Sequence, residues 1–323
     1  MPIALGTDGG GSIRIPSSFC GIYGLKPSHS RVGDYPSTVT VIGPIAANIS
    51  DLEVAYRVMA LPIPTHPVSS LFKQPKPLEG SRPKIMGIYG PWFERADLQV
   101  KSLCHQVVQY LRESLGYEVV DIEIPYLSEG QSAHAITILS EMATTAKSQF
   151  HPSRPWLTDL TAANKVLLSV GSQTPAPDYI LAARLRHLIM SHLAFLYQKH
   201  PGLVIVTPTT PIAGWPIGQE GDLKYGFTDA NLSLRNMEYV WLANFTGCPA
   251  LSCPVGYVSP AKGSGDIPVG FHAMGEWGSE DALIEWGRDA EKWLNEKYPG
   301  GRRHPAVWED VLENAKTSKT APV

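Results

Sequence analysis

"GTDGGGSIRIPSSFCG" (Gly6–Gly21) stands almost at the start of the chain. Three successive glycines run into Ser12, with Asp8 before them and Arg14 after. Glycine reaches backbone angles closed to other residues, so the N–H groups of Gly9, Gly10, Gly11 and Ser12 can converge on one point. A carbonyl oxygen gaining negative charge would be stabilised there, each preorganised donor contributing about 3 kcal/mol. A serine hydroxyl beside such a cradle still needs a base to take its proton. Asp8 and Arg14 carry opposite charges and can fix the turn by bidentate hydrogen bonding. Pro16 suits the first turn of a short helix through "PSSFCG". On residue types alone three readings stay open: a nucleophilic serine, a structural turn and a phosphate loop. A P-loop requires Gly-Lys-Ser/Thr, and here Ile13 follows the serine. A nucleophile elbow requires Gly-x-Ser-x-Gly, and Arg14 stands where its second glycine belongs.

Working outward, "SDLEVAYRVMAL" (50–61) reads as a helix with Ser50 as N-cap and Glu53 completing a capping box. A Pro- and Ser-rich connector (62–83) is the one candidate for an internal boundary. "KIMGIYG" (84–90) has the composition of a buried strand. Residues 96–116 form a long amphipathic pattern, with Leu98, Leu103, Val107, Val108 and Leu111 on one face and Gly116 as its stop. A strand over 117–125 follows. This strand–helix–strand order argues for a sheet covered by helices. Helical segments near 130–150, 158–170 and 177–199 come next, then an apolar strand at 202–211 and a helix at 238–247 stopped by Gly247. "PALSCPVGY" and "IPVGFHAMG" are two strands joined by a Gly/Ser/Pro loop, and residues 280–298 close the chain's pattern as an amphipathic helix. The expected fold is α/β, a mixed β-sheet core flanked by helices. It is read as one domain over 1–300 with a helical insert at about 130–200 and a tail at 301–323.

Composition narrows the partners. The chain has 323 residues, 43% hydrophobic and 18% charged, with a net charge of -3. A size of this order buries roughly three-quarters of the unfolded surface, enough for a substantial core. The near-neutral charge gives no general attraction to nucleic acid or acidic membranes, and no nucleic-acid-binding motif is present. No apolar run approaches the ~18 residues of a membrane span, and the N-terminus lacks the pattern of a secretory signal. Cys20, Cys104, Cys248 and Cys253 lack metal or disulfide-framework spacing, so reduced thiols and a cytoplasmic location are expected. His187 and His192 lie five apart, about 140° around a helix, the wrong angle for sharing a metal. Trp215 and Trp241 are read as core or channel lining. Oligomeric state is not encoded in any pattern here.

The larger stretch "GTDGGGSIRIPSSFCGIYGLKPS" resembles the core of the amidase signature family, which includes fungal acetamidase-type enzymes, fatty-acid amide hydrolase and the amidase component of glutamyl-tRNA amidotransferase. "VIGPIAANISDLE", "GYEVVDIEIP", "VIVTPTTP", "NFTGCPALSCPVGY" and "IPVGFHAMG" are similar to later family segments, so the likeness runs from about residue 2 to 298. "GIYGLKPSHSR" is nearest to the fungal-type amidases. The resemblance implies that Ser12 is the acyl-enzyme nucleophile. It makes Gly9, Gly10, Gly11 and Ser12 the oxyanion-hole donors, and Asp8 and Arg14 the loop's supports. It implies hydrolysis of a small-molecule amide, with no cofactor and no metal.

The family's base is a lysine acting through a second serine, both N-terminal to the nucleophile, and neither position exists before Gly6 in this sequence. The expectation is therefore an amidase lacking its N-terminal third, with a bared strand edge and impaired activity. Losing the base of a serine hydrolase costs about 10⁶ in kcat. The alternative is a catalytically dead remnant acting as a binding or partner protein. Lys26, His29 and His272 are the residues that could stand in as base.

Overall fold

The computed structural model describes residues 3–33, 36–77, 80, 82–149, 154–218 and 229–303. Its strands are β1 (Ile3–Asp8), β2 (Tyr23–Lys26), β3 (Val41–Ala46), β4 (Ile85–Ile88), β5 (Glu118–Asp121), β6 (Leu203–Pro208), β7 (Ala250–Val258) and β8 (Ile267–Met274). All join one sheet in the order β1-β3-β2-β7-β8-β6-β4-β5. From β1 to β6 every neighbouring pair is antiparallel, while β6, β4 and β5 run parallel. The mixed α/β sheet expected from the sequence is what forms.

Periodicity marks five of these strands and passes over β1, β2 and β3. β2 is buried throughout and β3 at four of its six positions, so neither alternates. Their glycines serve close packing. A Cβ on Gly43 would lie 2.1 Å from the Leu25 carbonyl oxygen, so β3 can approach β2 only with glycine at that point. β1 is an edge strand paired only with β3, and its Leu5 and Thr7 are exposed.

Ten described helices surround the sheet: α1 (Arg14–Cys20), α2 (Ile49–Met59), α3 (Gly90–Phe93), α4 (Leu98–Leu115), α5 (Leu127–Gln149), α6 (Ala162–Gly171), α7 (Ala176–Lys199), α8 (Ala230–Asn236), α9 (Trp241–Thr246) and α10 (Glu280–Lys297). The α2 cap differs from expectation. Asn48, not Ser50, accepts the Asp51 N–H at 2.7 Å, so the helix starts earlier and Glu53 pairs instead with Arg57. On α4 the expected apolar face holds at Leu103, Val107 and Leu111, joined by Val100 and Cys104. Leu98, the first residue of that helix, lies outside the stripe and is 71% exposed. The tail is described only to Arg303; residues 304–323 lie outside the described residues.

Strand alternation decides what each face of the sheet receives. On β8, Phe271 meets Trp286 of α10, an aromatic pair at 5.5 Å. His272, one residue on, turns to the opposite face and reaches Arg14 at the start of α1. A Cβ on Gly24 or Gly270 would lie 2.3 Å from Ser17 Oγ or 2.5 Å from Ser18 Oγ. α1 therefore rests directly on the sheet, and this fixes the position of the loop that leads into it.

Candidate active site

The Gly9–Ile13 loop joins the end of β1 to α1, with Asp8 and Arg14 at its two ends. Both side chains are fully buried, and every guanidinium donor is used. Arg14 Nε and Nη2 donate to the Asp8 carboxylate at 3.0 and 3.1 Å. Nη2 also donates to Asn244 Oδ1 at 2.5 Å. Nη1 donates to the Val240 carbonyl and to His272 Nε2, each at 2.9 Å. Burial alone would raise the Asp8 carboxyl, but the Arg14 guanidinium beside it holds it well below the usual carboxylate range. A buried pair with this many partners is rigid, and its Asp8 carboxylate accepts the N–H groups of Gly11 and Ile13.

The loop's backbone is held plane by plane. Gly11 has φ 111°, a conformation open to glycine, and its N–H donates to Asp8 Oδ1 at 2.6 Å. Gly11 N–H is thus turned inward. The N–H groups of Gly9, Gly10 and Ser12 donate to no other described residue. Asn244 Nδ2 donates to the Asp8 carbonyl at 2.8 Å, and His134 Nε2 meets the Gly9 carbonyl at 2.8 Å. A Cβ on Gly9 would lie 2.7 Å from Ile138 of α5, so that helix roofs the cradle. Ser12 itself is exposed at the mouth of the loop. His134 and Asn244 escaped the sequence reading because they reach the loop across 125 and 236 residues. The available signals were a histidine inside "SAHAITIL" and an amide inside "WLANFTG", polar groups in otherwise apolar helix patterns.

The Amidase family model matches residues 1–284. The chain belongs to the amidase family. Over 323 aligned residues it is 32% identical to a fatty acid amide hydrolase of Medicago truncatula, covering 96% of this chain and 51% of that protein. It is 31% identical to an amidase of Pseudomonas putida, over 79% of this chain and 56% of that one. The crystal structure of a bacterial aryl acylamidase of the amidase signature enzymes matches with a TM-score of 0.69 at 20% identity, over 94% of this chain and 65% of that one. This chain spans about half the length of the plant fatty acid amide hydrolases it matches.

The side chains weighed as substitute bases are all engaged. Arg14 donates to His272 Nε2, so the proton sits on Nδ1, 3.3 Å from Thr207 Oγ1, and no lone pair is left for a serine proton. Burial and the Arg14 charge push that imidazole well below the ordinary histidine value. His29 Nε2 donates to the Ser37 carbonyl at 2.7 Å, and Ser30 Oγ donates to its Nδ1 at 3.0 Å. Lys26 is fully buried, with Nζ donating to the Pro27 carbonyl at 2.8 Å. His192 Nε2 donates to the Glu123 carbonyl, while His187 is exposed. Trp241 is core, its ring tilted against those of His134 and Phe245, and Trp215 packs edge-on against Phe19 at 5.6 Å. Cys20 is exposed and the other three cysteines are buried free thiols. Among the described residues no group of three or more His, Cys, Asp or Glu could hold a metal ion, and no helix is long and apolar enough to cross a membrane.

Proposed function

We propose that this chain carries the acyl-enzyme half-site of an amide hydrolase, with Ser12 as nucleophile. Ser12 Oγ bonds to the carbonyl carbon of a linear carboxylic amide. The oxygen's charge falls on the N–H groups of Gly9, Gly10 and Ser12. The amine leaves with a proton as the acyl–serine ester forms, and water then releases the acid. Gly11 takes a supporting part, because its N–H holds Asp8. By the family resemblance, a lysine acting through a second serine would take the hydroxyl's proton. The observation that carries this reading is an exposed hydroxyl beside free backbone N–H groups, on a loop whose flanking charges are buried and fully paired.

A fluorophosphonate probe tests it. The probe is expected to label the wild-type protein at Ser12, and Ser12→Ala is expected to abolish labelling without shifting the melting temperature by more than a degree or two. Equal labelling of both proteins, or none of the wild type and of a form extended upstream, would overturn the assignment.

A further inference from the structure

His134 lies on α5, fully buried, with its ring against Trp241 and Phe245. A Cβ on Gly10 would stand 3.1 Å from its Cε1, so the imidazole packs directly on the glycine loop. Its Nε2 lies 2.8 Å from the Gly9 carbonyl oxygen, which can only accept, so Nε2 carries the proton. Nδ1 has no partner among the described residues. A bare buried nitrogen is costly, and an apolar side chain would pack the same space without it. What the imidazole adds is a single donor aimed at one loop carbonyl.

That carbonyl shares a planar peptide with the next N–H. The chain has no cis bond among its described residues, and in a trans peptide C=O and N–H point in opposite directions. Fixing the Gly9 oxygen toward α5 therefore fixes the Gly10 N–H away from α5. Asn244 does the same one plane earlier, through the Asp8 carbonyl. Gly9 and Gly10, with no side chains of their own, have nothing else to set these planes.

We infer that His134 is a positioning residue, which aims the Gly10 N–H at the oxyanion by holding the Gly9 carbonyl from behind. The inference rests on Ser12 being the nucleophile and adds the device that orients its cradle. Burial pushes the ring down to about 4, with the Gly9 bond opposing, so the neutral Nε2–H form persists through ordinary pH.

The test uses two variants. His134→Gln keeps an N–H donor at similar reach; His134→Leu keeps bulk and removes the donor. In glycine-labelled protein the Gly10 amide resonance is expected to be single and narrow in wild type and the Gln variant, and shifted or broadened in the Leu variant. Fluorophosphonate labelling of Ser12 is expected to slow by about tenfold to a hundredfold in the Leu variant and to recover to within a few-fold with Gln. An unmoved Gly10 resonance together with wild-type labelling in the Leu variant overturns the inference. Should the Leu variant not fold, the imidazole nitrogen spectrum of the wild type decides instead: protonation at Nδ1 rather than Nε2 would sink the idea. Absence of labelling in both the wild type and the form extended upstream would count against Ser12, while the Gly10 resonance would still judge His134 separately.

Discussion

Where β4, β5 and β6 run parallel, the sheet is packed with apolar side chains such as Met86, Val204, Ile205 and Val206. Where β1, β2, β3, β7 and β8 run antiparallel, Asp8, Lys26, Ser252 and His272 lie buried on the sheet and Arg14 lies buried at the start of α1. The two halves fail in different ways when altered. An apolar side chain that is shortened forfeits transfer energy and leaves a cavity. A polar one that is removed strands every partner it had, at the cost of burying groups that water once satisfied. The candidate site stands on the second kind of interior, so its geometry is rigid and depends on each member being present.

The contrast breaks most visibly at Arg14. Arg14→Met removes the donors to Asp8, Asn244, the Val240 carbonyl and His272 together. We expect a loss of about 3–5 kcal/mol in urea unfolding, because the Asp8 carboxylate is left buried without its counter-charge. Ser12 labelling should vanish with it. A loss under about 1 kcal/mol would show that the antiparallel half is no more demanding than the parallel one.

Met86→Ala sharpens the comparison from the other side. Met86 is fully buried on β4, and its truncation is expected to cost about 3 kcal/mol. Labelling of Ser12 per folded molecule should stay at the wild-type level. Slower labelling by the folded variant would tie the apolar half to the site and erase the division between the two halves.

What could be read from the chain follows burial more than strand direction. Strands β4 to β8, α4 and α10 were legible, because burial against the core writes an apolar pattern into the sequence. Leu98 misled because periodicity cannot tell the first residue of a helix from one already under the core. Ser50 misled because Asn48, two residues earlier, is an equally good cap. The Asp8–Ser12–Arg14 loop was legible through its glycines and charges, all within seven residues. His134, Asn244 and the tie from Arg14 to His272 were not, since they meet only after the sheet and α5 have brought distant segments together. β1 to β3 show no clean alternation: all four residues of β2 are buried, and β3 is buried at four of its six positions.

Lys26 gives the smallest effect and one whose sign can be worked out. It sits on β2, on the same face as Gly24. Burial, reinforced by the Arg14 charge, pushes its ammonium down to about 7. In the unfolded chain a lysine titrates near 10.4. Between those values the unfolded state binds the extra proton, so stability rises with pH from about 7 toward 10 and is flat below 7. Lys26→Met removes the titration, while the cysteines and tyrosines, common to both proteins, cancel in the difference. The variant's stability relative to wild type should therefore be greatest at pH 7 and below, and shrink by about 2 kcal/mol by pH 9, read from urea unfolding at each pH. Parallel stability curves for the two proteins would mean that Lys26 keeps an ordinary ammonium inside the sheet. In that case the polar half tolerates an uncompensated charge, and the reason for Arg14 to keep all its partners weakens with it.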